Sequence, residues 1–216
     1  MTPALAIFDC DGVLVDSEGP TNALLADDLR AHGLDVPGPQ IPALFVGGTM
    51  EGVFHKARAM GAALPDDWVD RFYGRMFARL ADGVPMIDGV GAVLDALETR
   101  GVAIWVASNG PMAKMEITLT PHGLWDRFAG RILSRDDFAP KPAPDMVLHA
   151  LAANGTDKAQ AVMIDDSPTG CGAGIAAGIR TIGYAAETDP DRLRAAGVEI
   201  ARSMPELAAM LDLPTG

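Results

Sequence analysis

The chain has 216 residues, 49% of them hydrophobic and 21% charged, a composition that suits a globular protein with a substantial buried core, either one large domain or a core with an insert. Its formal charge of −12 argues against nucleic acid or an anionic membrane surface as a partner, although a local cation can still admit an anionic substrate to one cleft. No basic segment leads a long apolar run and no stretch reaches membrane-spanning length, so a cytoplasmic protein without a membrane partner is expected.

The first element is a short apolar run from Leu5 that ends on Asp9-Cys10-Asp11-Gly12, read as a buried strand followed by a turn. Alternation along a strand aims Asp9 and Asp11 the same way, where the two carboxylates repel each other unless a cation or a shared catalytic task accounts for them. The plain reading is an Asp-rich turn with Gly12 at positive φ. Asp16 and Ser17 are candidate caps for a helix carrying Leu24, Leu25 and Leu29, which stops near His32-Gly33. A helix from Met50 to Met60 follows Gly47-Gly48-Thr49, and Asp66 to Asp82 is amphipathic, with Trp68, Phe72, Met76 and Leu80 four apart. No convincing strand lies between Gly33 and Pro85, so residues 16–84 read as a helical insert.

Beyond Pro85 strands and helices alternate. Helices are predicted at Gly89–Arg100, Pro111–Thr120, Pro144–Asn154 and Pro168–Gly178, with short ones near Asp191 and at Pro205–Leu211. Strands are predicted at Val102–Ala107, Arg131–Leu133, Ala161–Ile164 and, as the last, Arg180–Gly183. Strands that are apolar throughout indicate a parallel sheet covered on both faces. The expected fold is α/β: a Rossmann-like doubly wound parallel sheet formed by residues 1–15 and 85–216, with a small all-helical domain, 16–84, inserted after the first strand.

Ligands of such sheets bind outside the carboxyl ends of the strands. Three predicted strands end there in polar clusters: Asp9 and Asp11, Ser108-Asn109-Gly110, and Asp165-Asp166-Ser167. Lys141 sits among them in the proline-braced run Pro140-Lys141-Pro142-Ala143-Pro144. Alone, each has a bland reading as a helix cap or a solvated loop residue. Together they suit phosphoryl transfer. Carboxylates hold Mg²⁺, metal and lysine neutralise a phosphate, one carboxylate attacks, and another protonates the leaving oxygen. The two cysteines, Cys10 and Cys171, lack metal-ligand spacing and read as reduced and structural.

Asp9-Cys-Asp-Gly-Val-Leu14, Ser108-Asn109, Lys141-Pro142 and Asp165-Asp-Ser167 resemble the four ordered motifs of the haloacid dehalogenase superfamily, and the insert resembles its small helical cap. The resemblance spans essentially the whole chain. It implies that Asp9 is the nucleophile that forms an aspartyl-phosphate, and that Asp11 is the general acid/base and lends its backbone carbonyl to Mg²⁺. It further implies that Ser108 and Lys141 hold the phosphoryl oxygens with Asn109 beside them, and that Asp166 with Asp165 completes the metal site. The cap of the family closes over substrate, which places the hinges near Val15-Asp16 and Gly83-Val84.

Within the superfamily, Asp11 favours phosphotransfer over dehalogenation. A β-phosphoglucomutase-like enzyme is the rival, but that family carries a histidine on the first cap helix where this chain has Thr21. The runs Ser108–Met115 and Met163–Ser167 look like those of bacterial 6-phosphogluconate and other sugar-phosphate phosphatases. The expected substrate is thus a small phosphorylated metabolite. In the insert, Gly48 and Thr49 are candidate substrate contacts, with a plain helix start as the other reading, and the Arg71, Arg75 and Arg79 stripe reads as a solvated face. A non-catalytic binding module on the same fold is the alternative of another class, and no core motif residue is missing to support it. A monomer is the simplest expectation.

Overall fold

The computed structural model describes residues 2–45, 49–186 and 188–214. Its elements run β1 (Leu5–Phe8), α1 (Glu18–Ala31), α2 (Ile41–Phe45), α3 (Met50–Ala59), α4 (Trp68–Ala81), α5 (Val90–Thr99), β2 (Ala103–Ser108), α6 (Met112–Leu119) and α7 (Leu124–Arg127). They continue with β3 (Ile132–Ser134), α8 (Asp145–Asn154), β4 (Ala161–Asp165), α9 (Pro168–Ala177), β5 (Arg180–Tyr184), α10 (Pro190–Arg194), β6 (Glu199–Ala201) and α11 (Met204–Met210). By contact the chain divides into two units, Met1–Asp16 with Pro85–Gly216, and Ser17–Val84. Among the described residues no helix is long and apolar enough to cross a membrane.

The first unit is built on one six-stranded parallel sheet in the order β3-β2-β1-β4-β5-β6. All four residues of β1 are buried, and an unbroken apolar run can only be accommodated where both sheet faces are covered, which puts β1 in the middle. Its Ile7 is level with Trp105 of β2 on one side and Met163 of β4 on the other. Leu5, Ile7, Trp105 and Met163 share a core with Met146, Val147 and Ala150 of α8 and Ala173 and Ala177 of α9. The sequence placed the last strand at Arg180–Gly183, but Glu199–Ala201 adds a sixth beside it. Only Ala201 of those three is buried, so this edge strand is held by backbone pairing and carries almost no apolar pattern.

The chain leaves this unit and re-enters it at adjacent points. Asp16 N–H donates to the Pro85 carbonyl at 2.9 Å, and Val15 bridges Met86.

The described residues of the second unit form helices and connecting turns. Trp68, Phe72, Met76 and Leu80 form the buried stripe of α4, and Phe54 of α3 stacks on Trp68, which stacks on Phe72. Asp28 of α1 is buried here, accepting from Trp68 Nε1 and pairing with Arg75. Of the predicted solvated arginines, Arg71 pairs with Asp67 at the surface, whereas Arg75 is committed to this internal carboxylate. Ser17 occupies the N-cap position of α1, yet its side chain makes no capping bond.

Candidate active site

The carboxyl ends of β1, β2 and β4 lie side by side, so the polar residues that follow them converge. Asp9 extends the β1 ladder by donating its N–H to Ile164 at 2.9 Å. Ser108 and Asp165 are the last residues of β2 and β4. Asp9, Ser108, Lys141 and Asp165 are all buried, and a charged residue is buried only where it is paired.

The pairing centres on Lys141. Its Nζ donates to Asp9 Oδ1 at 2.7 Å, to Asp165 Oδ2 at 2.6 Å and to the Ala107 carbonyl at 2.9 Å. These three acceptors use every proton of the ammonium group. The loop that carries the lysine is fixed from the β2 end. Asn109 Nδ2 donates to Lys141 O at 3.0 Å, and its Oδ1 accepts Lys141 N–H at 2.7 Å. Asn109, expected beside the phosphoryl oxygens, thus directs its side-chain amide at the lysine backbone and acts as a brace. The Lys141–Pro142 peptide bond is cis.

Asp165 is held equally firmly. Its Oδ1 accepts from Ser167 N–H at 2.9 Å and from Ser167 Oγ at 2.7 Å. The same hydroxyl oxygen caps α9 by accepting from Gly170 N–H at 2.9 Å. A Cβ on Gly170 would fall well inside 3.0 Å of the Asp165 carboxylate, so only glycine leaves room there. Gly12 has φ +74°, and a Cβ on it would lie 2.7 Å from Asp166 Cγ. Turn geometry and carboxylate clearance both demand glycine at that position.

Asp9, Asp165 and Asp166 each present an oxygen, and these oxygens all lie within 4.8 Å of one another. Asp11 stands apart from that cluster. Its Oδ2 is 2.7 Å from Lys114 Nζ of α6, with only 13% and 17% of the two side chains exposed.

Electrostatics follow from burial. Burial pushes the Asp9 carboxyl up to about 7, against the pull of Lys141 and with the help of Asp165 and Asp11. Burial also disfavours the Lys141 ammonium, but Asp165 and Asp9 outweigh it and hold the lysine above its ordinary value. For Lys114 burial is likewise overcome, chiefly by Asp11. Cys10 and Cys171 are free and buried. Burial raises the Cys10 thiol well above its usual value and Cys171 to about 12, and the surrounding carboxylates add to both.

Comparison with known proteins gives the family. The model of the haloacid dehalogenase-like hydrolase family matches residues 6–184, a span that contains the three strand-end clusters and Lys141. The chain is a haloacid dehalogenase-like hydrolase. The 6-phosphogluconate phosphatase of Escherichia coli (strain K12) is 28% identical to this hydrolase over 183 residues, covering 83% of this chain and 81% of that protein. Hexitol phosphatase B of the same strain is 27% identical over 211 residues, 94% of each chain. Among solved structures, a conserved haloacid dehalogenase-like protein of unknown function from Agrobacterium tumefaciens superposes with a TM-score of 0.87 at 32% identity, covering 97% of each chain.

The hydrolase also has site residues that sequence reasoning passed over. Lys114 lies inside the run Ser108–Met115, but only the helical turn of α6 brings it to Asp11. Gly170 has a clearance role against Asp165 that only the fold reveals. Of the candidate contacts in the helical unit, Thr49 is the N-cap of α3, its Oγ1 accepting Gly52 N–H at 3.2 Å. Gly48 lies outside the described residues.

Proposed function

We propose that this hydrolase is a phosphatase that acts on a small phosphorylated metabolite through an aspartyl-phosphate on Asp9. The observation that carries the reading is the buried Asp9–Lys141–Asp165 array at the strand ends. It fixes one carboxylate beside a cation that can neutralise an incoming phosphate.

Mg²⁺ fits the residues present. Asp9, Asp165 and Asp166 offer hard oxygen donors close enough to share one ion, and their excess negative charge needs a cation. Of the three, Asp165 already serves Lys141 and Ser167, so Asp9 and Asp166 are the stronger candidates for direct ligands. When bound, the ion supplies charge neutralisation for the phosphoryl oxygens. Asp11 contributes a backbone carbonyl to the ion in this reading.

The chain's own groups divide the chemistry. Asp9 attacks phosphorus, forming an O–P bond while the bond to the leaving oxygen breaks, and Asp11 gives that oxygen a proton. Ser108 holds a phosphoryl oxygen, and Lys141, whose three protons are engaged, neutralises the phosphoryl charge from beside Asp9. Water then attacks phosphorus, Asp11 takes its proton, and the Asp9–phosphorus bond breaks. Thr21, whose Oγ1 donates to Ser17 O within α1, offers no imidazole to support a mutase.

A sugar phosphate or sugar-acid phosphate such as 6-phosphogluconate is the substrate class we propose, supported by the two Escherichia coli relatives. The helical unit's cations give little help with the choice. Lys56 donates to Leu44 O at 2.7 Å, Arg58 pairs with Asp66, and Arg71 and Arg75 are engaged as described. The test is phosphate release from a panel containing 6-phosphogluconate, hexitol phosphates and glucose 6-phosphate, with and without Mg²⁺. Asp9→Asn should abolish turnover while retaining the fold. Substantial activity in that variant would overturn the nucleophile assignment, and wild-type inactivity across the panel would overturn the substrate class.

A further inference from the structure

A lysine is ordinarily solvated, and one buried against a carboxylate loses both hydration and side-chain freedom. Lys114 makes that sacrifice next to Asp11, at 2.7 Å from Oδ2. The segment that carries it is fixed at several points. Asp136 Oδ2 accepts Met112 N–H at 2.8 Å, Lys114 N–H donates to Pro111 O at 3.0 Å, and Ser134 Oγ donates to Gly110 O at 2.8 Å. Gly110 stands against both partners, because a Cβ there would be 3.7 Å from Asp11 Oδ2 and from Lys114 Cδ. The lysine is therefore delivered to Asp11 by the first turn of α6, a few residues after Ser108 ends β2.

We propose that Lys114 is a positioning residue for Asp11. Its ammonium holds Oδ2 and hence the rotamer of the carboxyl group that exchanges the proton. In the first half-reaction that proton goes to the leaving oxygen as its bond to phosphorus breaks. In the second, the attacking water returns a proton to Asp11 as the Asp9–phosphorus bond breaks. A carboxylate released from Lys114 samples several rotamers, and misplacement by about an ångström costs on the order of a hundredfold in rate. The inference rests on the phosphatase reading above.

The experiment compares wild type, Lys114→Met and Lys114→Arg on p-nitrophenyl phosphate and 6-phosphogluconate with Mg²⁺, with Asp9→Asn alongside and rapid-mixing traces for the chromogenic substrate. p-Nitrophenolate leaves without a proton, so its release isolates formation of the intermediate from hydrolysis of it. On p-nitrophenyl phosphate, Lys114→Met should lower kcat about 10–100-fold with KM falling in step, so that kcat/KM is kept, and should show a burst approaching one p-nitrophenolate per site; on 6-phosphogluconate, whose leaving oxygen needs the proton, kcat and kcat/KM should both fall about 10–100-fold. Lys114→Arg should recover at least a tenth of wild-type kcat. Should the methionine variant not fold, Lys114→Gln carries the same comparison. Unchanged kcat, a raised KM with kcat kept, or a loss of kcat without a burst would each overturn the positioning role. In those cases an active wild type and a dead Asp9→Asn leave the phosphatase reading standing. An inactive wild type or an active Asp9→Asn overturns both.

Discussion

Gly170→Ala adds one methyl group to a helix and should nevertheless damage the site. The new Cβ would fall inside 3.0 Å of three atoms of the Asp165 carboxyl group, which is wholly buried. Relief requires Asp165 to move by about an ångström, and short buried side chains do so only by overpacking their neighbours, at about 1–3 kcal/mol. The movement also strains the bonds from Lys141 at 2.6 Å and from Ser167 at 2.9 and 2.7 Å. Losing one charged hydrogen bond costs about 1.5–3 kcal/mol, while the helix gains about 1 kcal/mol from replacing glycine. A net loss of about 2–5 kcal/mol is expected in urea denaturation, together with reduced kcat because Lys141 loses an anchor. Gly74→Ala is the control. That residue lies in α4, and a Cβ added to it would meet nothing within 4 Å, so alanine should be neutral or stabilising by up to about 1 kcal/mol. Shortening the neighbour in Asp165→Ser/Gly170→Ala should recover part of the strain, visible as a coupling energy in a double-mutant cycle. A Gly170→Ala protein within about 0.5 kcal/mol of wild type and fully active would refute the clearance argument.

Lys141→Met leaves Asp9 and Asp165 buried without their shared cation, so a loss of about 3–5 kcal/mol is expected in chemical denaturation, beyond any effect on turnover. Asp28→Ala strands Trp68 Nε1 and Arg75 in the helical unit. Destabilisation of about 1–3 kcal/mol should appear as faster amide exchange in α1 and α4, with exchange in the parallel sheet unaltered. Asp9 moves from an ordinary 3.8 to about 7 on folding, so between those values the folded state retains a proton that the unfolded chain has released. Stability of the Mg²⁺-free protein should therefore fall as pH rises from about 4 to about 7. Because that proton competes with a cation, Mg²⁺ should raise the melting temperature more at pH 8 than at pH 6. Equal shifts at the two pH values would contradict this.

The parallel sheet was legible because its central strands are apolar on both faces, a pattern that few other environments permit. Its strand-end clusters were legible because acids, a hydroxyl and a proline-flanked lysine recur at such ends. β6 was not, since Glu199–Ala201 joins the edge through backbone bonds and needs no hydrophobic code. Asn109 illustrates a different gap. The family resemblance set it beside the phosphoryl oxygens, and only three-dimensional register reveals that both ends of its amide meet the backbone of Lys141. Asp28 and Arg75 show the same difficulty in the helical unit, 47 positions apart and paired only through folding. Side chains that answer to distant partners leave no periodic trace.

The buried thiols have a practical consequence. Cys10 and Cys171 are the only two cysteines, both belong to the sheet-bearing unit, and neither is reactive while that unit is closed. A thiol reagent in excess therefore labels the protein only when the sheet opens, and the labelling rate is a native stopwatch for that event. The helical unit carries no cysteine and can fray without being counted. Run beside amide exchange, which counts both units, the same unmodified protein separates the opening of its catalytic scaffold from the opening of its insert.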